Sequence, residues 1–252
     1  MTVNDLPDSH YVAKDITTDN MSDFDKVLTI HDWIINKTKY DTRIYSSEEV
    51  PWSSYRSEGV FKYGVAVCDG YSKAFQELAE LAGLTVNRVT GTAVNNSGIT
   101  ETHSWNQVKV DGKWYNIDVT WDDPISTDGD KLQYIYFLVP DSQFTDHTAS
   151  GTHYTCTTAQ PTAKISSYAL QQDLKADPNC AYCENTAQLK TAMANFHSKG
   201  IDTFRLIYKT NLTDTSAIFK QIFAAAPSGC SKNATLEQWK LKGYYYAKVT
   251  LS

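Results

Sequence analysis

No stretch of this 252-residue chain holds the roughly 18 consecutive apolar residues a membrane helix needs, so no helical membrane span is expected. A basic excess is also missing. Lys and Arg number 23 against 29 Asp and Glu, a net charge of −6, with no block of like charge to override it. Phosphate binding needs a basic field, so nucleic acid is excluded as a main partner. Internal repeats and low-complexity tracts are absent too. Residues 1–23 lack the basic-then-apolar layout of a secretory leader, although a leader already cleaved would leave the same start.

What is present is ordinary globular composition, with 41% hydrophobic and 21% charged residues, so disorder is not the default. The length suits one large domain, or a catalytic domain with a small appendage. Sixteen tyrosines, with many Thr, Ser and Asn, suit an extracellular or cell-surface setting. Of the five cysteines, Cys68 stands apart, and Cys156, Cys180, Cys183 and Cys230 form an even set late in the chain. Two disulfides among those four, and hence an oxidising compartment, are the preferred reading, with four reduced structural thiols as the plain alternative. Zinc is the rival, but Cys180-x-x-Cys183 has no second pair at matching spacing.

Residues 1–20 read as an extended lead-in. Phe24, Val27, Leu28, His31, Ile34 and Ile35 then recur at helical spacing behind a Ser22/Asp23 cap. His31 sits in that apolar stripe and reads as a satisfied core histidine. Residues 41–62 read as a long loop, one wall of a cleft. A second helix is expected over 69–82, burying Tyr71, Ala74, Phe75, Leu78, Leu81 and Ala82, with Gly83 as its stop. Strands are expected at 85–92 and 131–140, with a polar connector over 141–167. Helices at 185–199 and 213–225 and strands at 203–209 and 243–251 suggest a small C-terminal α+β domain. The boundaries are therefore set at 1–165 for the catalytic domain and 166–252 for the appendage.

The stretch HSWNQVKVDGKWYNIDVT, residues 103–120, is the most informative. Asp111-Gly112 signals a two-residue hairpin, which sets Val110 opposite Lys113 and His103 opposite Thr120. One face is then apolar, carrying Val108, Val110, Tyr115, Ile117 and Val119. The other carries His103, Trp105, Gln107, Trp114, Asn116, Asp118 and Thr120. His103 and Asp118 become diagonal neighbours about 7–8 Å apart at the backbone. A slip of one residue would separate them.

Cys68 follows an apolar run and opens the second helix, where unsatisfied N–H groups and the helix dipole favour a thiolate. Gly70 keeps the backbone beside the sulfur uncrowded. His103 is positioned to take the thiol proton and return it to a leaving amine, with Asp118 orienting the ring. The Cys68 backbone N–H supplies one oxyanion donor. Trp52 and Tyr63 are candidates for the second, and Trp105, Trp114 and Trp121 for walls of the substrate cleft, with packing the weightier role for tryptophans beside a hairpin. No cofactor and no metal set is expected. Asp122, Asp123, Asp128 and Asp130 do not fit a twelve-residue calcium loop and read as solvated turns.

The strings VCDGYSKAFQELAELAGL, HSWNQVKVDGKWYNIDVTWDDP and YIYFLVP closely resemble bacterial transglutaminase-like (papain-type) domains over roughly residues 24–145. Their pattern is V-C-x-G-Y/F-A/S, then H-x-W-N-x-V, then D-G-K-W-Y-x-x-D-x-T-W-D-D-P. The resemblance implies the triad roles for Cys68, His103 and Asp118. It also implies a papain-like α+β core, with the nucleophile helix packed on an antiparallel sheet. The expected activity is thioester-forming acyl transfer on a protein or peptide substrate, at a Gln side chain or a peptide bond, with an amine or water as acceptor. The alternative is an idle surface-binding or scaffolding module of the same fold. Residues after 168 resemble small α/β appendages of secreted Gram-positive proteins.

Overall fold

A computed structural model describes residues 8–125 and 132–251. The chain divides into two compact units, Met1–Gln160 and Pro161–Ser252, slightly ahead of the boundary expected at 165.

In the first unit, helix α2 (Asp23–Lys37) starts where Ser22 Oγ accepts the Asp25 N–H at 3.1 Å. It buries Phe24, Val27, Leu28, Ile30, Ile34 and Ile35. Helix α3 (Cys68–Leu81) buries Tyr71, Ala74, Phe75 and Leu78, while Leu81, expected inside, is 38% exposed at its end. Gly83 at φ +82° takes the left-handed turn that stops it. A further helix, α1 (Asp8–Ile16), occupies the segment expected to be extended. Its buried face consists of small residues, Ser9 and Ala13, and Ser9 Oγ donates to Glu77 of α3 at 2.5 Å.

Behind α3 lies an antiparallel sheet of order β5-β4-β3-β6, made of β3 (Thr85–Val94), β4 (Thr100–Val110), β5 (Lys113–Ile117) and β6 (His147–Ala149). The expected helix-on-sheet core is therefore present, and the class is α+β. The β4–β5 hairpin keeps the expected register: Val110 faces Lys113, Val108 faces Tyr115 and Gln107 faces Asn116. Asp111 and Gly112 both have positive φ, at 50° and 78°, as a tight primed turn demands. The ladder ends at Asn106–Ile117, so the expected His103–Thr120 pair does not form. At Asp118 the chain turns off to bond Tyr136 O instead.

Three other expectations change. Residues 41–62 are not a featureless loop. They fold into tight helical turns at Thr42–Tyr45, Trp52–Tyr55 and Gly59–Tyr63, beside a two-residue parallel pair, β1 (Lys39–Tyr40) and β2 (Val65–Ala66). Within 131–140, the described part forms a bent segment with one bridge, Val139 to Asn116, rather than a strand. Gln160 Nε2 donates to the carbonyls of Tyr134 and Phe137 at 2.8 Å each, doing the work of a ladder. Finally, the connector supplies β6, which pairs with β3.

The second unit joins α4 (Thr162–Ala176), β7 (Cys180–Cys183), α5 (Thr186–Ser198), β8 (Thr203–Lys209), α6 (Thr215–Ala225), β9 (Lys232–Gln238) and β10 (Tyr244–Leu251). Its sheet runs β7-β8-β10-β9, parallel only between β7 and β8. Leu189, Met193, Phe204, Leu206, Ile218, Ile222 and Val249 fill its core.

The expected disulfides are not formed; all five cysteines are free. Cys156 lies in the first unit, 3.4 Å from Gln107 Nε2. Cys180 and Cys183 sit three apart on one strand and so point to opposite faces. Cys230 lies beside His197 instead, at 3.9 Å. The cysteines therefore give no argument for an oxidising compartment.

Candidate active site

Cys68 is the first residue of α3, and half-exposed. The first turn is held down by polar bonds to the sheet. Ser104 Oγ donates to Asp69 at 3.1 Å, Arg88 bonds both Asp69 and Ser72, and Asn106 Nδ2 donates to Ser72 O at 3.1 Å. Gly70 is required here for a reason other than crowding at sulfur. A Cβ at that position would lie 2.5 Å from Ser54 O and 2.7 Å from the Ala66 side chain.

His103 Nε2 and Asp118 Oδ2 are 2.7 Å apart, both residues buried. That leaves the other ring nitrogen, Nδ1, uncommitted to Asp118, and Cys68 lies near enough to favour the charged ring. Burial works against charge on His103, but the Asp118 carboxylate outweighs it and, with the Cys68 contact, raises the ring to about 10. Burial likewise works against charge on Asp118. The facing His103 and hydrogen bonds from His103 and His147 prevail, holding the acid well below the usual carboxylate range. At neutral pH the ring keeps its proton and the acid stays ionised.

Residues outside the sequence expectation complete the surroundings. His147, on β6, places Nε2 3.1 Å from Asp118 Oδ2 and Nδ1 2.7 Å from Asp146 Oδ1. Tyr40 lies close enough to Cys68 that, after burial, a thiolate there is the main influence pushing its phenol upward. Its ring stacks on Tyr45 at 5.9 Å. A polar-aromatic dipeptide pattern marks neither in the sequence. Tyr40 sits on a two-residue strand, and Asp146-His147 in a Thr-rich connector.

The expected substrate residues divide. Trp121 is half-buried with its ring 5.1 Å from His103. Trp105 is only 3% exposed and packs behind His103 against Phe144 and His147. It supports the ring from within and presents no open wall. Trp52 is 74% exposed and shares a surface hollow with Lys73, Gln76 and Glu80, more than a helical turn along α3 from the sulfur. Tyr63 is 62% exposed at the end of its turn.

His103, Asp118 and His147 place ligand-type atoms within 4.8 Å of one another, the donor set of a metal site. The 2.7 and 3.1 Å contacts among them are direct hydrogen bonds, and an ion held at about 2.0–2.1 Å from each nitrogen would have to replace them. Two of the four aspartates expected in solvated turns are buried instead. Asp122 is fully buried against His31 and the Tyr136 N–H, and Asp123 accepts from Tyr71 at 2.5 Å. Asp128 and Asp130 lie outside the described residues. His31 is a satisfied core histidine. Burial opposes its charge, yet Asp122 and Asp32 outweigh burial and raise it to about 9.

Residues 10–119 match the family model described as the transglutaminase-like superfamily. Two curated relatives, the kyphoscoliosis peptidases of Mus musculus and Homo sapiens, are 25% and 26% identical over 134 residues. The match takes in 50% of this chain and 20% of each relative, so the chain spans about a fifth of their length. Among solved structures, a crystal structure of a TGase is similar at 22% identity, over 44% of this chain and 29% of that one, with a TM-score of 0.36.

Proposed function

Residues 10–119 form a transglutaminase-like superfamily domain, and on that premise we propose that the chain is a cysteine-dependent acyl-transfer enzyme whose thioester forms on Cys68. The observation that carries the reading is an imidazole whose Nε2 lies 2.7 Å from Asp118 Oδ2 and whose charged form Cys68, at the start of α3, favours from nearby.

The chemistry follows from those positions. Because His103 holds its proton at neutral pH, the site enters the cycle as a Cys68 thiolate beside a His103 imidazolium. The thiolate attacks the carbonyl carbon of a Gln side chain or peptide bond, and the carbonyl π pair moves onto oxygen. The backbone N–H of Cys68, at the first position of α3, stabilises that oxyanion. Collapse expels ammonia or an amine, which takes its proton from His103, and leaves the thioester. A second amine, or water, gives a proton to His103, attacks the thioester and frees Cys68. Asp118 steadies the ring in both charge states.

Substrates of this site are proteins or peptides. The peptidase name of the mouse and human relatives favours the hydrolytic branch. Incubation with a Gln-bearing protein and a fluorescent primary amine separates the branches. Amine incorporation means transfer; release of ammonia or fragments alone means hydrolysis. Neither product from wild type, or equal product from Cys68→Ala, contradicts the proposal.

A further inference from the structure

Asp118 is fully buried, and every lone pair of its carboxylate is met. Oδ1 accepts the backbone N–H of Thr120 at 3.0 Å and of Trp121 at 3.3 Å. Oδ2 accepts from two imidazoles, His103 at 2.7 Å and His147 at 3.1 Å. Three of these donors come from the hairpin that carries the acid. The fourth comes from β6, a separate strand.

His147 is itself fixed from behind. Its side chain is fully buried, and Asp146 Oδ1 holds Nδ1 at 2.7 Å. Tyr136 in turn donates its hydroxyl to Asp146 Oδ2 at 2.7 Å. Phe144 stacks on the ring at 3.7 Å, and Trp121 lies at 4.5 Å. The register explains how it arrives. On β3, Gly91 pairs with His103 on one side and Ala149 on the other, and Ala93 pairs with His147. Thus one strand sets the spacing of both histidines.

We propose that His147, backed by Asp146 and Tyr136, is a positioning residue for the acyl-transfer site, holding the Asp118 carboxylate in the plane from which it orients His103. The proposal rests on reading Cys68, His103 and Asp118 as that site. The need arises within the cycle. When His103 gives its proton to the leaving amine, its attraction for Asp118 weakens, and the acid is then kept in place by its other donors. The His147 bond acts on the same oxygen that His103 uses. Losing it lets the carboxylate tilt, which harms the chemical step more than substrate binding.

The test compares His147→Leu, His147→Gln and Asp146→Asn with wild type, using two readouts. One is the downfield proton NMR signal of the His103 Nε2–H, read on histidine-labelled protein. The other is kcat and KM for the reaction of the Gln-bearing substrate. In His147→Leu the signal broadens or disappears, and kcat falls about 10- to 100-fold while KM stays within about twofold. His147→Gln, which keeps one donor, recovers most of both losses. A folded His147→Leu protein with the wild-type signal and kcat overturns the proposal, as does a change confined to KM. If His147→Leu fails to fold, Asp146→Asn decides: a weakened signal and lower kcat support the proposal, and wild-type values overturn it. The NMR readout needs no turnover, so a wild type without activity sinks the acyl-transfer reading while His147 is still judged on the His103 signal.

Discussion

His103 Nε2 lies 2.7 Å from Asp118 Oδ2, although the ladder joining their strands stops three residues short of His103, at Asn106–Ile117. Side-chain reach and a shared face, rather than backbone pairing, bring them together. The pair is held from outside the hairpin as well, by β6 through His147.

Thiol chemistry gives the first prediction. Burial pushes Cys156 and Cys180 up to about 12 and Cys183 to about 11, so these stay protonated and slow to alkylate at acid pH. Iodoacetamide at pH 6, followed by peptide mapping, is expected to label Cys68 much faster than a free thiol. His103→Ala removes that advantage. Cys68 labelling at the ordinary rate in wild type speaks for a scaffold without turnover.

Asp118→Asn preserves shape and removes the charge that orients His103. A loss of roughly 10³- to 10⁴-fold in kcat is expected, as for the acid of other nucleophile–His–acid sites. The amide keeps one acceptor, so the fold survives and circular dichroism stays unchanged. A loss below about tenfold would mean that the ring is oriented by something else.

The His103 shift also predicts how stability varies with pH. Its folded value near 10 lies above its ordinary 6.5, so the stabilisation is fully present below about 6.5 and fades as pH rises through 10. Asp118 is shifted downward, so its contribution is present above its ordinary 3.8 and fades as pH falls below that. Melting temperatures read from pH 6 to 10 are expected to fall more steeply for wild type than for His103→Gln. Parallel curves for the two proteins are the contrary result.

Gly91 lets β6 approach. A Cβ there would collide with the Thr148 backbone and lie 3.0 Å from Trp105 Cη2. Gly91→Val is expected to cost about 1–3 kcal/mol in denaturant unfolding and to lower kcat by displacing His147. Gly98→Ala, at an open turn where nothing lies within 4 Å of the new Cβ, tests the cost of positive φ alone (φ +74°) and is expected to spare kcat.

Where local chemistry dictates structure, the sequence was legible. Asp111-Gly112 demands positive φ, and that turn alone sets the hairpin register and the shared face of His103 and Asp118. The cysteine at the start of an amphipathic helix was readable for the same reason. Long-range packing was not. Helix α1 hides a face of Ser9 and Ala13, too small to register as an apolar stripe. Strand β6 is three residues long and gains its meaning only from β3, far upstream. The packing role of Trp105, the weightier reading for a tryptophan beside a hairpin, is filled by Phe144 and His147, which come from elsewhere in the chain.

The central claim is a thioester on Cys68, and acid-quenched intact mass spectrometry measures it directly. With benzyloxycarbonyl-glutaminyl-glycine as acyl donor, wild type should gain the mass of the donor less ammonia, mapped to Cys68 and removed by hydroxylamine. Cys68→Ala should show no gain. A wild-type protein that turns over the donor without any adduct on Cys68, or an adduct that persists in Cys68→Ala, would contradict the account.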